Sequence, residues 1–464
     1  MHAYLTDAHG AFQPSEARFH RSERAEMELV VCRPDRMYQR ISGFGGAFTE
    51  AGAYVFAGMP EDVQDRFVQL CFGGAEGGSS ASRGCSGDLA SGGNAYTLCR
   101  THIQSCDFAL GNYAYVKPLD RKLKTFSLDR DRTLLLPFIQ CGLAVNPTLE
   151  ILASPWSPPA FMKTNRMMNA GGRLRRSCYA PWAALLARYV SAYAQEGVRI
   201  GRMSVQNEPM AAQVWDSCLF TAGEEADFAA HYLRPALDAA GHEDVRLCAW
   251  DHNTDRLLDR VEAVFGDSET NAAFGSVGFH WYAGDHFEQV RAVAEAYPDK
   301  ELLFTEGCVE YSRDGVDAAT QERKAERYGH ALMGCFEAGA CGFIDWNLLL
   351  DERGGPNHAR NFCEAPLMYD RQAGELVVNR SFYYLGHFSR FIVPGSRRFL
   401  VSRFSDELEC TGFLRPDGKR VVVAMNRCSR PVRFEVAERP AVARIEIAPH
   451  SIMTLVWEGA ELGS

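Results

Sequence analysis

Met203-Ser204-Val205-Gln206-Asn207-Glu208-Pro209 opens a stretch that closes on Val245-Arg246-Leu247-Cys248-Ala249-Trp250-Asp251. Each end is a short run of apolar residues stopped by polar or turn-forming ones, the pattern of a buried strand. Between them, Ala222–Ala240 reads as a helix. Thr221 stands at its N-cap and Glu224 three residues on, the spacing of a capping box. A strand, a helix and a second strand in this order imply parallel strands joined by a right-handed crossover.

Working outward, the same alternation recurs. Eight segments read as buried strands: Ile41–Phe48, Leu98–Asp107, Leu149–Pro155, Met203–Asn207, Val245–Asp251, Val277–Tyr282, Leu302–Glu306 and Gly342–Trp346. Ala180–Gln195, with apolar residues every three or four positions, reads as another intervening helix. Eight strand–helix units predict a closed (β/α)8 TIM barrel over residues 41–390. An open doubly wound sheet is the competing α/β architecture, but its dinucleotide fingerprint is missing. Beyond Phe391 the pattern changes to alternation broken by turns such as Pro416-Asp417-Gly418. This predicts an antiparallel β-sandwich over 391–464, flanking the barrel. Met27–Cys32 is strand-like and could join it, so the sandwich is expected to be built from both chain ends, with 1–40 as its N-terminal contribution.

Composition narrows the function. The chain has 464 residues, 46% hydrophobic and 23% charged, ordinary for a globular protein. Lys and Arg number 49 against 59 Asp and Glu, a net charge of -10, which disfavours nucleic acid as a partner. No run approaches the ~20 apolar residues of a membrane helix. The N-terminal stretch carries His2, Asp7, His9, Glu16, Arg18 and Arg21 and no apolar segment. Together with 15 dispersed cysteines, this leads us to expect a cytoplasmic protein with reduced thiols. No zinc spacing occurs, and His252 and His280 lie on separate strands without an evident third ligand, so neither metal nor cofactor is expected. The Gly/Ser-rich stretch 73–94 matches no phosphate-binding motif and reads as a loop.

In a barrel, chemistry sits where strands end. Here the strand ends carry Asp107, Trp156, Asn207-Glu208, Asp251-His252-Asn253, His280-Trp281-Tyr282, Glu306 and Asp345-Trp346-Asn347. Any one has a bland reading as a cap or a packing residue, but a rim of carboxylates, amides and indoles points to a site. Glu208 and Glu306 are the candidate catalytic pair. Strands ~4.7 Å apart and tilted ~36° give a barrel radius of roughly 7–8 Å. Two Glu side chains reaching inward from strands three steps apart would then approach to about 6 Å. That range fits a glycosidase pair without separating retaining (~5–5.5 Å) from inverting (~6.5–9.5 Å) geometry. Trp156, Trp281 and Trp346 offer apolar faces for a sugar ring.

Several segments resemble glycoside hydrolase family 30, on its glucosylceramidase-like branch. They are Ile41–Glu50 (ISGFGGAFTE), Arg100–Phe108 (RTHIQSCDF), Ala153–Asn165 (ASPWSPPAFMKTN), Ser204–Pro209 (SVQNEP), Phe279–Tyr282 (FHWY), Phe304–Cys308 (FTEGC), Asp345–Asn347 (DWN), Gly354–Phe362 (GGPNHARNF) and Tyr384–Pro394 (YLGHFSRFIVP). The resemblance implies a barrel with a flanking β-sandwich and a retaining double displacement, with Glu208 as general acid/base and Glu306 as nucleophile. It also implies that Asn207 binds the sugar 2-hydroxyl and that Asp107, Trp156, Trp346 and Asn361 frame the other hydroxyls. Arg100, His280 and Tyr282 are implied as support for the nucleophile; we also expect His280 and Tyr282 among the substrate-binding residues and Trp281 as a supporting one. Glu306 should stay ionised beside Arg100 or Tyr282, and Glu208 should be raised above the ~4.3 of a free Glu, because it must start protonated. Phe161 stands where many relatives carry Trp.

The expected activity is therefore that of an exo-acting β-glycosidase on a small glycoside or oligosaccharide, with β-glucosidase or glucosylceramidase-like action first. β-1,6-Glucanase and β-xylosidase are the alternatives within the family. Two readings of other classes are a sugar-binding protein without catalysis, which would lack one of the two carboxylates, and a Schiff-base aldolase using Lys163.

Overall fold

The computed structural model of the chain describes residues 1–21, 28–74, 92–310 and 318–459. Most of the predicted 73–94 loop lies outside the described residues. Eight parallel strands close into a barrel: β1 (Gly43–Phe48), β2 (Leu98–Ile103), β3 (Glu150–Pro155), β4 (Ile200–Ser204), β5 (Arg246–Asn253), β6 (Phe274–His280), β7 (Glu301–Glu306) and β8 (Gly342–Asn347). All eight predicted strands are present, with ends displaced by a few residues. The clearest difference is at β2, which stops at Ile103, where Gln104 turns into left-handed backbone (φ 63°), so Asp107 stands on the following loop.

Side-chain alternation organises the barrel interior into layers. At the bottom, Arg202 bonds Glu150 at 2.7 Å and pairs with Glu301, while Arg246 joins both carboxylates at 2.6 Å. Above it, Leu98, Leu152, Cys248, Leu303 and Ile344 form an apolar belt. One step further along the strands come Arg100, Ser154, Ser204 and Thr305, a buried polar layer under the mouth. Residues of opposite parity, such as Cys99, Ile151, Met203, Leu302 and Phe343, face the helices. β1 carries glycines because the barrel wall leaves no room: a Cβ on Gly45 would stand 2.0 Å from the Leu98 carbonyl oxygen.

The predicted helices are observed as Tyr179–Gln195 and as Ala222–Ala239, the latter interrupted by a π-turn over Ala229–Leu233. Its capping box is formed: Glu224 N–H donates to Thr221 Oγ1 at 3.2 Å, and Thr221 N–H donates to Glu224 Oε2 at 2.7 Å.

The second body is a ten-stranded sheet, antiparallel but for the pairing of Val432–Glu438 with Leu29–Arg40. Both chain ends build it, as expected. The hairpin His2–Asp7/Gly10–Glu16, not anticipated, forms one edge by pairing with Ser451–Trp457. Arg420–Asn426 shows how the two bodies share one strand. Val422 and Ala424 face the sheet's own core, while Val421, Val423 and Met425 face the core around the barrel. A strand buried on both faces fuses the two bodies, since each fully buried aliphatic side chain contributes about 1.5–3 kcal/mol. Among the described residues no helix is long and apolar enough to cross a membrane.

Candidate active site

The C-terminal ends of the strands surround a cavity of about 280 Å³ lined by Asp107, Trp156, Asn207, Glu208, Tyr282, Glu306, Trp346 and Asn361. Both candidate catalytic carboxylates open into it. Their surroundings differ.

Glu306 ends β7. The Arg100 guanidinium donates to its Oε2 at 2.5 Å and the Tyr282 hydroxyl to its Oε1 at 3.0 Å. Arg100 is completely buried and spends its whole fork here: Nη2 also donates to Asn207 Oδ1 and Asp251 Oδ2, both at 2.7 Å, and Nε to Ser154 Oγ at 3.1 Å. Burial works against the charge on Arg100, but Asp251 and Glu306 outweigh it and hold the guanidinium firmly protonated.

Glu208 follows β4 in left-handed backbone, φ 47°, a conformation rare for a residue other than glycine and typical of functional sites. Its N–H donates to the Asp251 carbonyl at 3.0 Å. Its Oε1 lies 3.2 Å from His280 Nδ1 and 3.5 Å from His252 Nδ1. The expected elevation of its pKa is not found. Burial raises it, but contacts with His252 and His280 outweigh burial and hold the carboxyl well below the usual range. The proton is instead favoured on His280. Burial opposes it there, but Glu306, Asp251 and Glu208 push the imidazole up to about 9. His280 is fully buried behind Glu208, with Nε2 3.1 Å from Asp251 Oδ1. It therefore lies outside the cavity lining, where the sequence led us to expect a substrate-binding residue, and acts on Glu306 through its charge. Its parity on β6 turns it toward β5.

Asp251, which the sequence places on the rim without a role, is central to the site. It joins Arg100 to His280, and so links the surroundings of the two glutamates, while Thr305 Oγ1 donates to it at 2.6 Å. Two β-bulges bring this about. Gly278 pairs with Trp250 and Phe279 with His252, leaving Asp251 as the extra residue of β5. Phe279 pairs with Phe304 and His280 with Glu306, leaving Thr305 as the extra residue of β7. Trp250 and Asp251 both adopt positive φ, 71° and 52°, so Trp250 turns out to the helices and Asp251 turns in. Strict alternation would have placed them the other way round. His252 and His280 also gain a third neighbour that the sequence did not reveal: with Glu208, their potential ligand atoms all lie within 4.8 Å of one another.

Asp107 accepts from Asn361 Nδ2 at 3.1 Å through Oδ2, while its buried Oδ1 has no partner among the described residues and belongs to the lining of a cavity suited to a sugar hydroxyl. Burial and the nearby Glu306 push Asp107 up to about 8. Trp156 and Trp346 stack on each other at 5.2 Å with Arg100 4.7 Å over Trp156, so they present edges and part of a face to the cavity. Trp281 does not line it. Its indole packs on Phe304 and Tyr328 and donates to the Cys308 carbonyl at 3.2 Å. Trp215, unmarked in the sequence reading, lines the cavity with Gln213. Asp345 points outward by alternation and accepts from Tyr328 at 2.9 Å. Phe161 packs against the core outside the lining. Lys163 is buried away from the cavity, its ammonium donating to Ser157 Oγ at 3.0 Å and to the Met168 and Ser217 carbonyls at 2.8 and 2.5 Å. It ties two loops together, which removes the Schiff-base reading.

Comparison with known proteins agrees with this architecture. The glycosyl hydrolase family 30 TIM-barrel domain matches residues 41–392, and the family 30 beta sandwich domain matches residues 395–455. Lysosomal acid glucosylceramidase of Mus musculus is 31% identical over 449 residues, covering 92% of this chain and 83% of that protein. Endo-1,6-beta-D-glucanase of Neurospora crassa is 25% identical over 422 residues, covering 87% and 82%. The crystal structure of SrfJ from Salmonella typhimurium superposes with a TM-score of 0.92 at 41% identity, covering 99% of both chains. This chain, with two carboxylates opening on one cavity at the barrel mouth, is a glycoside hydrolase and belongs to glycosyl hydrolase family 30.

Proposed function

We propose that the enzyme is a retaining, exo-acting β-glycosidase that removes a terminal β-glucosyl unit, with Glu306 as nucleophile and Glu208 as general acid/base. The observation that carries this reading is the asymmetry of the two carboxylates on one small cavity. Glu306 receives Arg100 and Tyr282 donors, which hold its carboxylate in place as the nucleophile. Glu208 faces His280, which holds a proton one contact away. In the first step Glu306 attacks the anomeric carbon while the proton shared by the His280–Glu208 pair goes to the glycosidic oxygen. Ester formation cancels the negative charge of Glu306, the strongest support for His280. The pair then holds its proton less tightly once the leaving group has gone. Glu208, ionised, takes a proton from the water that hydrolyses the ester. Because the pair exchanges one proton, its titration belongs to both residues.

The cavity, at the small end of the ~300–1,000 Å³ common for ligand sites, supports exo action on one sugar. Apolar side chains are exposed at its mouth and on the neighbouring loops: the lining residue Phe362 is 47% exposed and Val214, between the lining residues Gln213 and Trp215, is 77% exposed, with Met167 and Met210 also exposed. Loops 163–174 and 209–220 carry three of these and are laced by Ala170 N–H to Gln213 O at 2.8 Å and Ser217 N–H to Met168 O at 3.0 Å. Such a rim suits an apolar leaving group, and the glucosylceramidase and 1,6-β-glucanase relatives support glucose as the sugar. The same proposal places the enzyme in a reducing cytoplasm, in keeping with fourteen described cysteines that are all free.

The test is a panel of para-nitrophenyl β-glucoside, β-xyloside, β-galactoside, β-fucoside and α-glucoside. Hydrolysis of the β-glucoside that is lost in Glu208→Gln and Glu306→Gln is expected. Silence on all five, with activity on β-1,6-glucan, would replace the exo reading by the endo-glucanase one.

A further inference from the structure

Two thiols stand beside the nucleophile without a part in the reaction above. Cys308 follows Glu306 by two residues, and Cys363 follows Asn361 by two. Their sulfurs are 3.0 Å apart, and Cys308 Sγ is 3.6 Å from the hydroxyl of Tyr282, the group that donates to Glu306. A short antiparallel bridge, Val309–Glu310 against Cys363–Glu364, fixes the two segments side by side. Both cysteines are free.

We infer that Cys308 and Cys363 form a redox modification site whose disulfide switches the enzyme off, with a low-molecular-weight disulfide such as glutathione disulfide as the oxidant. Cys308, the less buried of the two, loses its proton and attacks one sulfur of the oxidant, releasing one glutathione thiolate. Cys363 then loses its proton and attacks the Cys308 sulfur of the mixed disulfide, releasing the second. The enzyme loses two electrons and two protons, and the oxidant is reduced to two thiols. Cys363 beside it and burial push the Cys308 thiol well above its ordinary range, so the exchange is slow.

The consequence for activity is geometric. A disulfide bond is ~2.05 Å long, so the sulfurs must close by about 1 Å. The Cys308 side is pinned by the Trp281 indole on its carbonyl. Cys363 is held by its own N–H on the Gly354 carbonyl at 3.2 Å, so closure strains both segments, and that of Cys363 carries Asn361 and its bond to Asp107. Misplacing a group in a site by about 1 Å can cost ~10²-fold in rate.

The experiment equilibrates the full enzyme with glutathione/glutathione disulfide mixtures of rising oxidising ratio, alkylates the remaining thiols and maps the peptides, with kcat/KM measured in parallel. We expect a Cys308–Cys363 linked peptide whose fraction tracks a loss of kcat/KM of at least ~10-fold, restored by dithiothreitol. Cys308→Ser, referred to its own reduced activity, should lose this response, while Cys363→Ala should give no linked peptide and stop at the Cys308–glutathione mixed disulfide. The inference is overturned if no linked peptide forms at any ratio, if it forms with kcat/KM unchanged, or if Cys308→Ser is inactivated like the parent. The peptide map reads the pair whichever glycoside the enzyme prefers, so failure here is distinct from failure of the proposed specificity.

Discussion

Arg100 on β2 donates to Glu306 on β7 at 2.5 Å, across the barrel mouth and three strand positions apart. The same guanidinium holds Asp251 and Asn207, so one buried cation sets the position of the proposed nucleophile, of the residue next to Glu208, and of the carboxylate that reaches His280. Replacing it leaves Asp251 and Glu306 without their cation. Arg100→Met should destabilise the fold by about 3–5 kcal/mol, the usual cost of removing one partner from a buried pair. Arg100→Lys keeps the charge but cannot serve three acceptors with a planar fork. It should fold, as read by thermal unfolding, yet lose most of kcat.

The pH dependence follows from His280. Its folded value of about 9 lies above the ~6.5 of an unfolded chain. The stability it contributes is complete below about 6.5 and is lost as pH rises through about 9. The proton available to Glu208 disappears over the same upper limb. We expect kcat/KM on the β-glucoside to fall in a basic limb near pH 9, and His280→Gln to move that limb to lower pH. A limb unchanged in His280→Gln would show that another group holds the proton.

Asp107 follows the same sign and trades stability for use. Burial and Glu306 raise it to about 8, from ~3.9 unfolded. Its effect on stability is present below about 4 and is lost as pH rises through 8. Asp107→Asn keeps the shape and removes the charge, so its melting temperature should exceed that of the parent by more at pH 8 than at pH 4. Turnover should fall at every pH, because the partnerless Oδ1 is the acceptor proposed for a sugar hydroxyl.

Gly45 tests the barrel wall. A Cβ there meets backbone, the Leu98 carbonyl oxygen, rather than a yielding side chain. Gly45→Ala should cost at least ~1–3 kcal/mol in denaturant unfolding, in the range of overpacked cores. Gly197→Ala, in open space but at φ 79°, should cost less and only through its backbone.

Much of the barrel was legible because parallel strands buried on both faces read as short apolar runs, and because Glu208, Glu306, Asn207 and Trp156 sit where those runs end. What escaped was orientation. Asp251 turns inward only because a bulge breaks the alternation of β5, and no residue pattern marks that bulge. The sequence puts Trp281 with the sugar platform because the apolar run extends to Tyr282. The strand ends at His280, and the indole goes behind the wall. The low pKa of Glu208 depends on His252 and His280 arriving from two other strands, which spacing along the chain does not show. The hairpin His2–Asp7/Gly10–Glu16 was missed because its short, largely polar strands have one buried position in three or fewer, too few to show a period.

The central claim is that Glu306 becomes covalently glycosylated. Incubation with an activated 2-deoxy-2-fluoro-β-glucoside slows both steps, and the second enough to accumulate the intermediate. Intact-mass and peptide analysis should then show one fluoroglucosyl group per chain, on the peptide containing Glu306, with loss of activity in the same proportion. An enzyme that hydrolyses the β-glucoside but carries no adduct, or carries it on Glu208, would contradict the account.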